Sequence, residues 1–281
     1  MNMTLILLLL LLPSQPTTEP SKVASDPKDD VQRAETAAMV KRVTAKCEFS
    51  TGGKTPTKLT QHPDPILRWS NPTAGTVFGE VYVWTDNGRP AVVASLYQWF
   101  SPDWGKTLEV SSLSPVQVVG RRGGEKFWNP EQPGIKFLPI DETDPPASSA
   151  GSRLVQMRRL ANGFVAQLVD TRSDDNGTKR QLRLLSQPVF RHPAPKPVSS
   201  YLDGAIFAFV EGTDPEVLLL LEATTVNDRA TWNFGLVRMN LDALRVTFRE
   251  REVWSVSRQG SAFENPLSPY ALFMLEQGEK K

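Results

Sequence analysis

The chain has 281 residues, of which 22% are charged and 40% are hydrophobic, with 32 basic against 31 acidic side chains. This globular composition excludes collagen-like, coiled-coil, wholly disordered and multi-span membrane proteins. A net charge of +1 does not indicate the excess of basic residues that is typical of nucleic-acid-binding proteins. One cysteine, Cys47, excludes an intramolecular disulfide, and two histidines are too few for an ordinary zinc site. We therefore expect neither a metal nor another cofactor.

Eight apolar residues, 5–12, lie close to the N-terminus and are followed by Pro13 and a polar stretch. As a helix they would rise about 12 Å, far less than the roughly 30 Å core of a bilayer. This length is typical of a secretory signal peptide, and an uncleaved anchor is the alternative. We expect a signal peptide at 1–18, a disordered tether at 19–27, and a secreted or periplasmic mature chain without a transmembrane span.

One pattern occurs twice along the chain. Residues 57–60 and 65–68 recur in character at 180–183 and 188–191, and Gly79–Trp84 matches Gly204–Phe209 at an offset of 125 (204 − 79). The near-constant spacing favours an internal duplication over a chance alignment of apolar strands. The predicted divisions are a first α+β repeat at 28–139, a linker at 140–152, a second α+β repeat at 153–258 and a C-terminal tail at 259–281.

Each repeat is predicted to begin with a helix. In the first, Asp26 is a plausible N-cap and Pro27 takes the first helical position. In the second, Ser148 or Ser149 precedes apolar residues at helical spacing. Those positions are Leu154, Met157, Leu160, Phe164 and Leu168.

Strands with short connections follow each helix and predict an antiparallel meander. Asn87-Gly88 is typical of a type I′ turn, here joining strands 77–85 and 91–100. If Trp84 pairs with Ala91, one face carries Phe78, Glu80, Tyr82, Trp84, Tyr97 and Trp99. Further strands are predicted at 116–121, 125–128, 178–185, 203–210, 216–223, 231–239, 244–249 and 252–256.

The expected fold class is therefore α+β, a tandem duplication in which each copy is a helix followed by an antiparallel β-meander. Because 205–210 and 217–221 are apolar at every position, the two copies should pack as one pseudo-symmetric body. The element order of each half resembles the cystatin-like and NTF2-like α+β folds.

Three strings, at 65–72, 83–90 and 202–216, are similar to an uncharacterised family of secreted planctomycete bacterial proteins. They read PILRWSNP, VWTDNGRP and LDGAIFAFVEGTDPE, and the resemblance spans about 65–254. It implies export from a bacterial cell. It implies no activity, so no residue inherits a role from it.

Motifs for catalysis are sparse. The nucleophile elbow G-x-S-x-G does not occur, and Gly52-Gly53-Lys54-Thr55 lacks the first glycine of a phosphate loop because Glu48 stands there. The simplest interpretation of His62, His192 and Cys47 is that each has a structural role. The chain is thus not predicted to be an enzyme, although a carboxylate-dependent glycan hydrolase remains an alternative, using Glu80 with Glu222 or Asp86.

The aromatic residues supply the main functional hypothesis. Trp69, Tyr82, Trp84, Asp86, Tyr97 and Trp99 are the candidate surface for a ligand or partner, with burial in the core as the alternative. Between the repeats, Trp69, Trp84, Asp86 and Tyr97 are replaced by His192, Phe209, Glu211 and Glu222, and a site is expected among such differing positions. The leading hypothesis is an exported, non-catalytic module that binds an unknown protein, glycan or small ligand. The third hypothesis is an envelope scaffold protein.

Overall fold

The structure is a computed structural model that describes residues 26–102, 104–170, 178–194, 200–227, 229–260 and 265–277. The predicted signal peptide and all but the last two residues of the tether lie outside the described residues. Within them, antiparallel sheets dominate and there are only two helices, with 52% of residues in strands and 13% in helices, which fits an α+β or a mainly β fold. No helix of the described part is long and apolar enough to cross a membrane.

The two halves of the chain have a similar order of elements, and the second half contains one additional strand. The first half contains α1 (Pro27–Thr44), β1 (Cys47–Thr51), β2 (Thr60–Gln61), β3 (Leu67–Ser70), β4 (Thr76–Asp86), β5 (Arg89–Ser101), β6 (Gly105–Ser112), β7 (Val118–Arg122), β8 (Glu125–Trp128) and β9 (Leu138–Pro139). The second half contains α2 (Ala150–Ala161), β10 (Phe164–Asp170), β11 (Thr178–Gln181), β12 (Arg183–Leu184), β13 (Phe190–Arg191), β14 (Tyr201–Glu211), β15 (Asp214–Val226), β16 (Arg229–Arg238), β17 (Ala243–Phe248), β18 (Arg251–Val256) and β19 (Tyr270–Gln277).

The long hairpins of the two halves are in register with each other. Strands β4 and β14 begin 125 residues apart (201 − 76), and so do β5 and β15 (214 − 89). Each hairpin is followed by a third long strand and then by a pair of shorter ones. The offset found in the sequence is therefore also the offset of the structural elements.

The helices begin as predicted. The Asp26 carboxylate accepts a hydrogen bond from the Lys28 amide at 2.9 Å, and Pro27 occupies the first turn. Ser149 caps α2 and accepts from the Ser152 amide. However, α2 ends at Ala161, and the predicted helical positions Phe164 and Leu168 lie in β10 instead. Gly163 separates the two elements, and the phenylalanine and valine that follow it favour a strand.

Two six-stranded sheets pack face to face. The first sheet has the order β19-β6-β5-β4 with β2 and β3 on its outer edge, and the second has the order β9-β16-β15-β14 with β12 and β13. Aliphatic side chains such as Val81, Val93, Ile206, Leu218 and Leu220 fill the space between them. Because each sheet also has a covered outer face, its central strands are apolar on both sides.

The outer faces are covered by equivalent elements. Helix α1 and the small sheet β1-β7-β8 cover the first sheet, with Met39, Phe49 and Trp128 buried among Trp84 and Leu96. Helix α2 and the small sheet β11-β10-β17-β18 cover the second. The molecule therefore has four layers, with the two long sheets in the middle.

The edge strands cross between the halves. Strand β9, the last strand of the first half, pairs with β16 of the second sheet, and β19, the last strand of the second half, pairs with β6 of the first sheet. Residues 259–281 were expected only as a tail, yet 270–277 complete the first sheet. Nothing in this segment alternates strictly, so its pairing with a distant strand was not visible in the sequence.

The predicted pairing of the first hairpin is wrong by one residue. Asn87 and Gly88 form the expected turn with φ of 48° and 85°, but Trp84 pairs with Val92 rather than Ala91. Ala91 is the extra residue of a β-bulge. Since side chains alternate along a strand, this bulge moves Tyr97 and Trp99 to the face opposite Tyr82 and Trp84.

The second hairpin contains an equivalent bulge. Val210 pairs with Pro215 and Phe209 pairs with Val217, which leaves Glu216 as the extra residue of β15. Ala91 and Glu216 thus occupy matching places, 125 residues apart (216 − 91). The bulge has an alanine in one half and a nearly fully buried acid in the other.

Candidate functional site

A cavity of about 450 Å³ opens where the β14–β15 turn meets the first sheet. Strands β3, β5, β6 and β19 supply one wall, and the start of β15 and the loop after β16 supply the other. Both sheets thus contribute side chains to one space.

Three aromatic residues form the wall that the first sheet contributes. The Trp69 and Tyr97 ring centroids are 5.3 Å apart, and the Trp69 indole nitrogen donates to Ser95 Oγ at 3.0 Å. Trp99 lies two residues beyond Tyr97 on the same strand face and is only partly buried. Aromatic side chains of this kind provide flat apolar surfaces that also attract cations.

Five acidic side chains line the same cavity, and we call three of them, Glu109, Asp214 and Glu216, the acid end of the molecule. The Tyr270 hydroxyl donates to Glu109 Oε1 at 2.6 Å, and the Asn240 amide donates to Glu216. Asp214, at the start of β15, accepts from the Asn71 side chain. Within the described residues, none of the three acids forms an ion pair with a basic side chain.

Burial determines the protonation of the acid end. It raises the pKa of Glu109 to about 8 and that of Glu216 to about 8, and the Tyr270 and Asn240 hydrogen bonds offset this only in part. Burial, followed by the proximity of Glu216 and Glu109, raises the pKa of Asp214 well above its ordinary value. With pKa values of about 8, Glu109 and Glu216 are mostly protonated at neutral pH, and the raised pKa of Asp214 favours its neutral form as well.

Charged pairs surround the cavity mouth. Arg180 pairs with Glu211 at the end of β14, and Arg258 lies 3.2 Å from Asp242. All four side chains line the same cavity. These acids have basic partners at the surface, whereas the acids deeper in the cavity have none among the described residues.

The matching position in the other half contains an ion pair instead. Arg89 corresponds to Asp214 and Glu222 corresponds to Tyr97, both by the 125-residue offset (214 − 89 and 222 − 97). Arg89 Nε and Nη2 donate to the two Glu222 oxygens at 2.9 and 2.6 Å, and the guanidinium stacks over Phe137 at 5.0 Å. We call Arg89 and Glu222 the ion-pair end.

The structure separates the residues of the predicted aromatic surface. Tyr82 and Trp84 lie in the core beneath α1, and Asp86 is at the hairpin turn, where it accepts from Asn87 at 2.9 Å. Only Trp69, Tyr97 and Trp99 of the six line the cavity, and Trp69 is itself nearly fully buried. The bulge at Ala91 causes this separation.

The acid pair suggested for hydrolysis is not assembled. Glu80 accepts from Arg68 Nε at 2.9 Å in the first sheet, on the side of Tyr82 and α1, while Glu222 pairs with Arg89 between the sheets. The first sheet lies between these two carboxyl groups. Asp86 at the hairpin turn is bonded to Asn87 and contributes no second acid to either.

Cys47 and His192 are buried in structural surroundings. Burial raises the pKa of Cys47 to about 11 and lowers that of His192 to about 3, so both side chains are neutral at pH 7. Among the described residues, no group of three or more His, Cys, Asp or Glu side chains is placed to hold a metal ion.

Sequence reasoning missed Glu109, Glu216 and Tyr270. Glu109 stands between leucine and valine in a buried strand, and Glu216 directly precedes the apolar run 217–221. A single acid within such a run is costly to bury, which was the signal available in the sequence. Tyr270 gave no signal because it reaches the site on a strand that was not predicted.

No protein-family model matches the chain, and no curated protein or solved structure matches it either. The function of this chain therefore has to be inferred from its own residues.

Proposed function

We propose that this chain is an exported, non-catalytic module that binds a small ligand in the cavity between its two sheets. The observation that carries the proposal is that matching positions in the two halves carry different side chains. At the ion-pair end Arg89 pairs with Glu222, and at the acid end a cavity of about 450 Å³ borders aromatic rings and carboxyl groups that have no basic partner among the described residues. Ligand sites are concave, mostly apolar spaces with a few polar groups converging on them.

The proposal includes a tandem duplication and export. The shared element order, the equal 125-residue spacing and the matching bulges at Ala91 and Glu216 support a duplication, because chance would not reproduce all three. After duplication, one copy can keep the structural ion pair while the other changes. The apolar run at 5–12 supports export through a signal peptide.

The acid end favours binding over hydrolysis. A glycosidase needs one protonated and one ionised carboxyl group, and enzymes achieve this by shifting the two pKa values apart. Here burial raises the pKa values of Glu109, Asp214 and Glu216 together. The other two acids of the cavity, Glu211 and Asp242, are paired with Arg180 and Arg258, so the carboxyl groups without a basic partner among the described residues are all shifted in the same direction.

Native mass spectrometry of the full chain, purified without denaturation from the host that exports it, tests the proposal. We expect a non-covalent adduct of a few hundred daltons on the wild-type chain. Ala74→Phe should remove it, because Ala74 is exposed and lines the cavity. Trp99→Ala should weaken its retention.

Trp104→Ala is the matched control for Trp99→Ala. Trp104 is 59% exposed and does not line the cavity, so its removal should leave the adduct in place. A wild-type chain that carries no adduct, or that is recovered only with protein partners, would contradict the proposal and favour the envelope scaffold. Retention of the adduct by Ala74→Phe would place the ligand elsewhere.

A further inference from the structure

We infer that the ligand is an organic cation, a small primary amine whose ammonium group binds at the acid end. Its carbon chain would lie against Trp69, Tyr97 and Trp99. This inference rests on the proposed function and specifies the chemical class of the ligand.

The ion-pair end contains a cation, Arg89, and the acid end has none at the matching position. Glu222 is 1% exposed and has a guanidinium partner because the matching hairpin position is Arg89. At the acid end that same position is Asp214, an acid added to two others. A ligand cation would supply the charge that the chain supplies at the other end.

Two buried side chains of the acid end, Glu109 and Glu216, have hydrogen-bonding capacity that the described residues do not use. Glu109 and Glu216 are only 4% and 2% exposed, yet each receives one hydrogen bond within the described residues, from Tyr270 and Asn240. A carboxylate has two oxygens and room for about four donors. In both residues the second oxygen has no donor among the described side chains, and both residues line the cavity.

The aromatic wall of the cavity also favours a cationic ligand. A cation is attracted to the face of an aromatic ring, and the attraction increases when water is excluded. Trp69, Tyr97 and Trp99 lie beside the acids, so a single amine can meet both kinds of group. An ammonium with three N–H donors and an apolar chain matches this wall, whereas an anion would be repelled by it.

Proton exchange should accompany binding. Glu109 faces Tyr97, Tyr270 and Arg238, and Glu216 faces Asp214, Glu211, Asp242 and Arg180. The ammonium binds the ionised form of these acids, so it must displace the protons that burial retains there. For each proton displaced, affinity should fall about tenfold per pH unit below the carboxyl pKa.

Titration calorimetry of the full processed chain tests the inference with putrescine as the probe. The neutral analogue 1,4-butanediol is the matched ligand control. We expect putrescine to bind with proton release, seen as a dependence of heat on buffer ionisation enthalpy, and to bind at least tenfold more tightly at pH 8.5 than at pH 6.5. The diol should bind at least tenfold more weakly at pH 8.5.

Neutral variants locate the charge requirement. Glu216→Gln and Asp214→Asn keep the shape of the side chain and should weaken putrescine binding at least tenfold at pH 8.5. Asp86→Asn is the matched control, because Asp86 corresponds to Glu211 but lies outside the cavity lining. It should leave the affinity unchanged.

The outcomes separate the two proposals. If 1,4-butanediol or glucose binds and Ala74→Phe abolishes its binding while putrescine does not bind, the cation inference is wrong and the cavity remains a binding site. Unchanged putrescine binding in Glu216→Gln and Asp214→Asn would also overturn the inference. If none of these probes binds and the purified chain carries no adduct, the proposed function itself fails.

Discussion

The acid end and the ion-pair end occupy matching places in two similar halves. The ion-pair end provides a basic partner for its carboxyl group, and the acid end provides none among the described residues. Glu222 has a bidentate arginine partner, which offsets in part the rise in its pKa that burial causes. Glu109, Asp214 and Glu216 have no such partner within the described residues and border open space. A buried carboxyl group must be paired or protonated, because an isolated buried charge is too costly.

The difference assigns separate roles to the two ends. A paired charge specifies one arrangement and has no capacity left for a ligand. A protonated acid can ionise when a cation arrives, so it keeps that capacity at some cost in stability above neutral pH. We therefore regard the ion-pair end as structural and the acid end as the site.

The largest effect should be the dependence of stability on pH. Glu109 and Glu216 have folded-state pKa values of about 8, above the ordinary value of 4.5, so the folded chain retains protons that the unfolded chain releases. Their contribution is fully present below pH 4.5 and is lost as pH rises through 8. We expect the free energy of unfolding to fall by roughly 7 kcal/mol between pH 5 and 8, since each of the two protons contributes about 1.4 kcal/mol per pH unit over most of this range.

Urea denaturation at several pH values measures this dependence. The double variant Glu109→Gln and Glu216→Gln keeps the neutral hydrogen-bonding shape and cannot ionise, so its profile should be shallower over the same range. Equal slopes for the variant and the wild-type chain would show that these two acids are already ionised at pH 5. The contrast between the ends would then have no basis in protonation.

At the ion-pair end, Arg89→Ala should lower the free energy of unfolding by about 3 kcal/mol at pH 8. The substitution leaves Glu222 buried without a partner, and because Arg89 is 38% exposed the cost lies at the lower end for such pairs. Chemical denaturation measures the loss. Arg68→Ala is the control, since Arg68 makes a similar 2.9 Å contact but is 70% exposed and should cost under about 1 kcal/mol.

Much of the fold could be predicted from the sequence, because local patterns determine it. The Asp26 cap, the Asn87-Gly88 turn and the long hairpins follow from turn chemistry and apolar runs. The bulge could not be predicted, since nothing local distinguishes Ala91 as an extra residue. The end of α2 was predicted too late because Phe164 and Leu168 fit a helical spacing by coincidence.

The candidate site was predictable only in part. Trp69 and Tyr97 were expected among the positions that differ between the halves, and both line the cavity. Glu109 and Tyr270 lie 161 residues apart in the chain and meet only because β19 crosses to β6. Such long-range pairing is a property of topology and leaves no mark in a single sequence.

The next smaller effect should come from placing the arginine of the ion-pair end at the matching position of the acid end. Asp214→Arg places a guanidinium where the other half has Arg89, close to Glu109 and Glu216. We expect about 1 kcal/mol of added stability at pH 8, because a buried acid is removed and a charge-assisted partner is added. Thermal unfolding at pH 8 measures the gain, and a lower melting temperature there would contradict it.

The smallest effect on stability should come from the cavity mouth. Arg180→Gln breaks the pair with Glu211, whose side chains are 45% and 23% exposed, and should change the free energy of unfolding by less than about 0.5 kcal/mol. The same change removes a positive charge from the path of a cationic ligand, so putrescine affinity should rise about threefold at low salt and lose this gain in 0.5 M NaCl. Arg159→Gln is the control, because it breaks the exposed Asp144 pair on α2, away from the cavity lining, and should alter neither quantity. A threefold gain that persisted in high salt would mean that Arg180 acts by blocking the mouth sterically, and the charge difference between the two ends would then not govern which ligands enter.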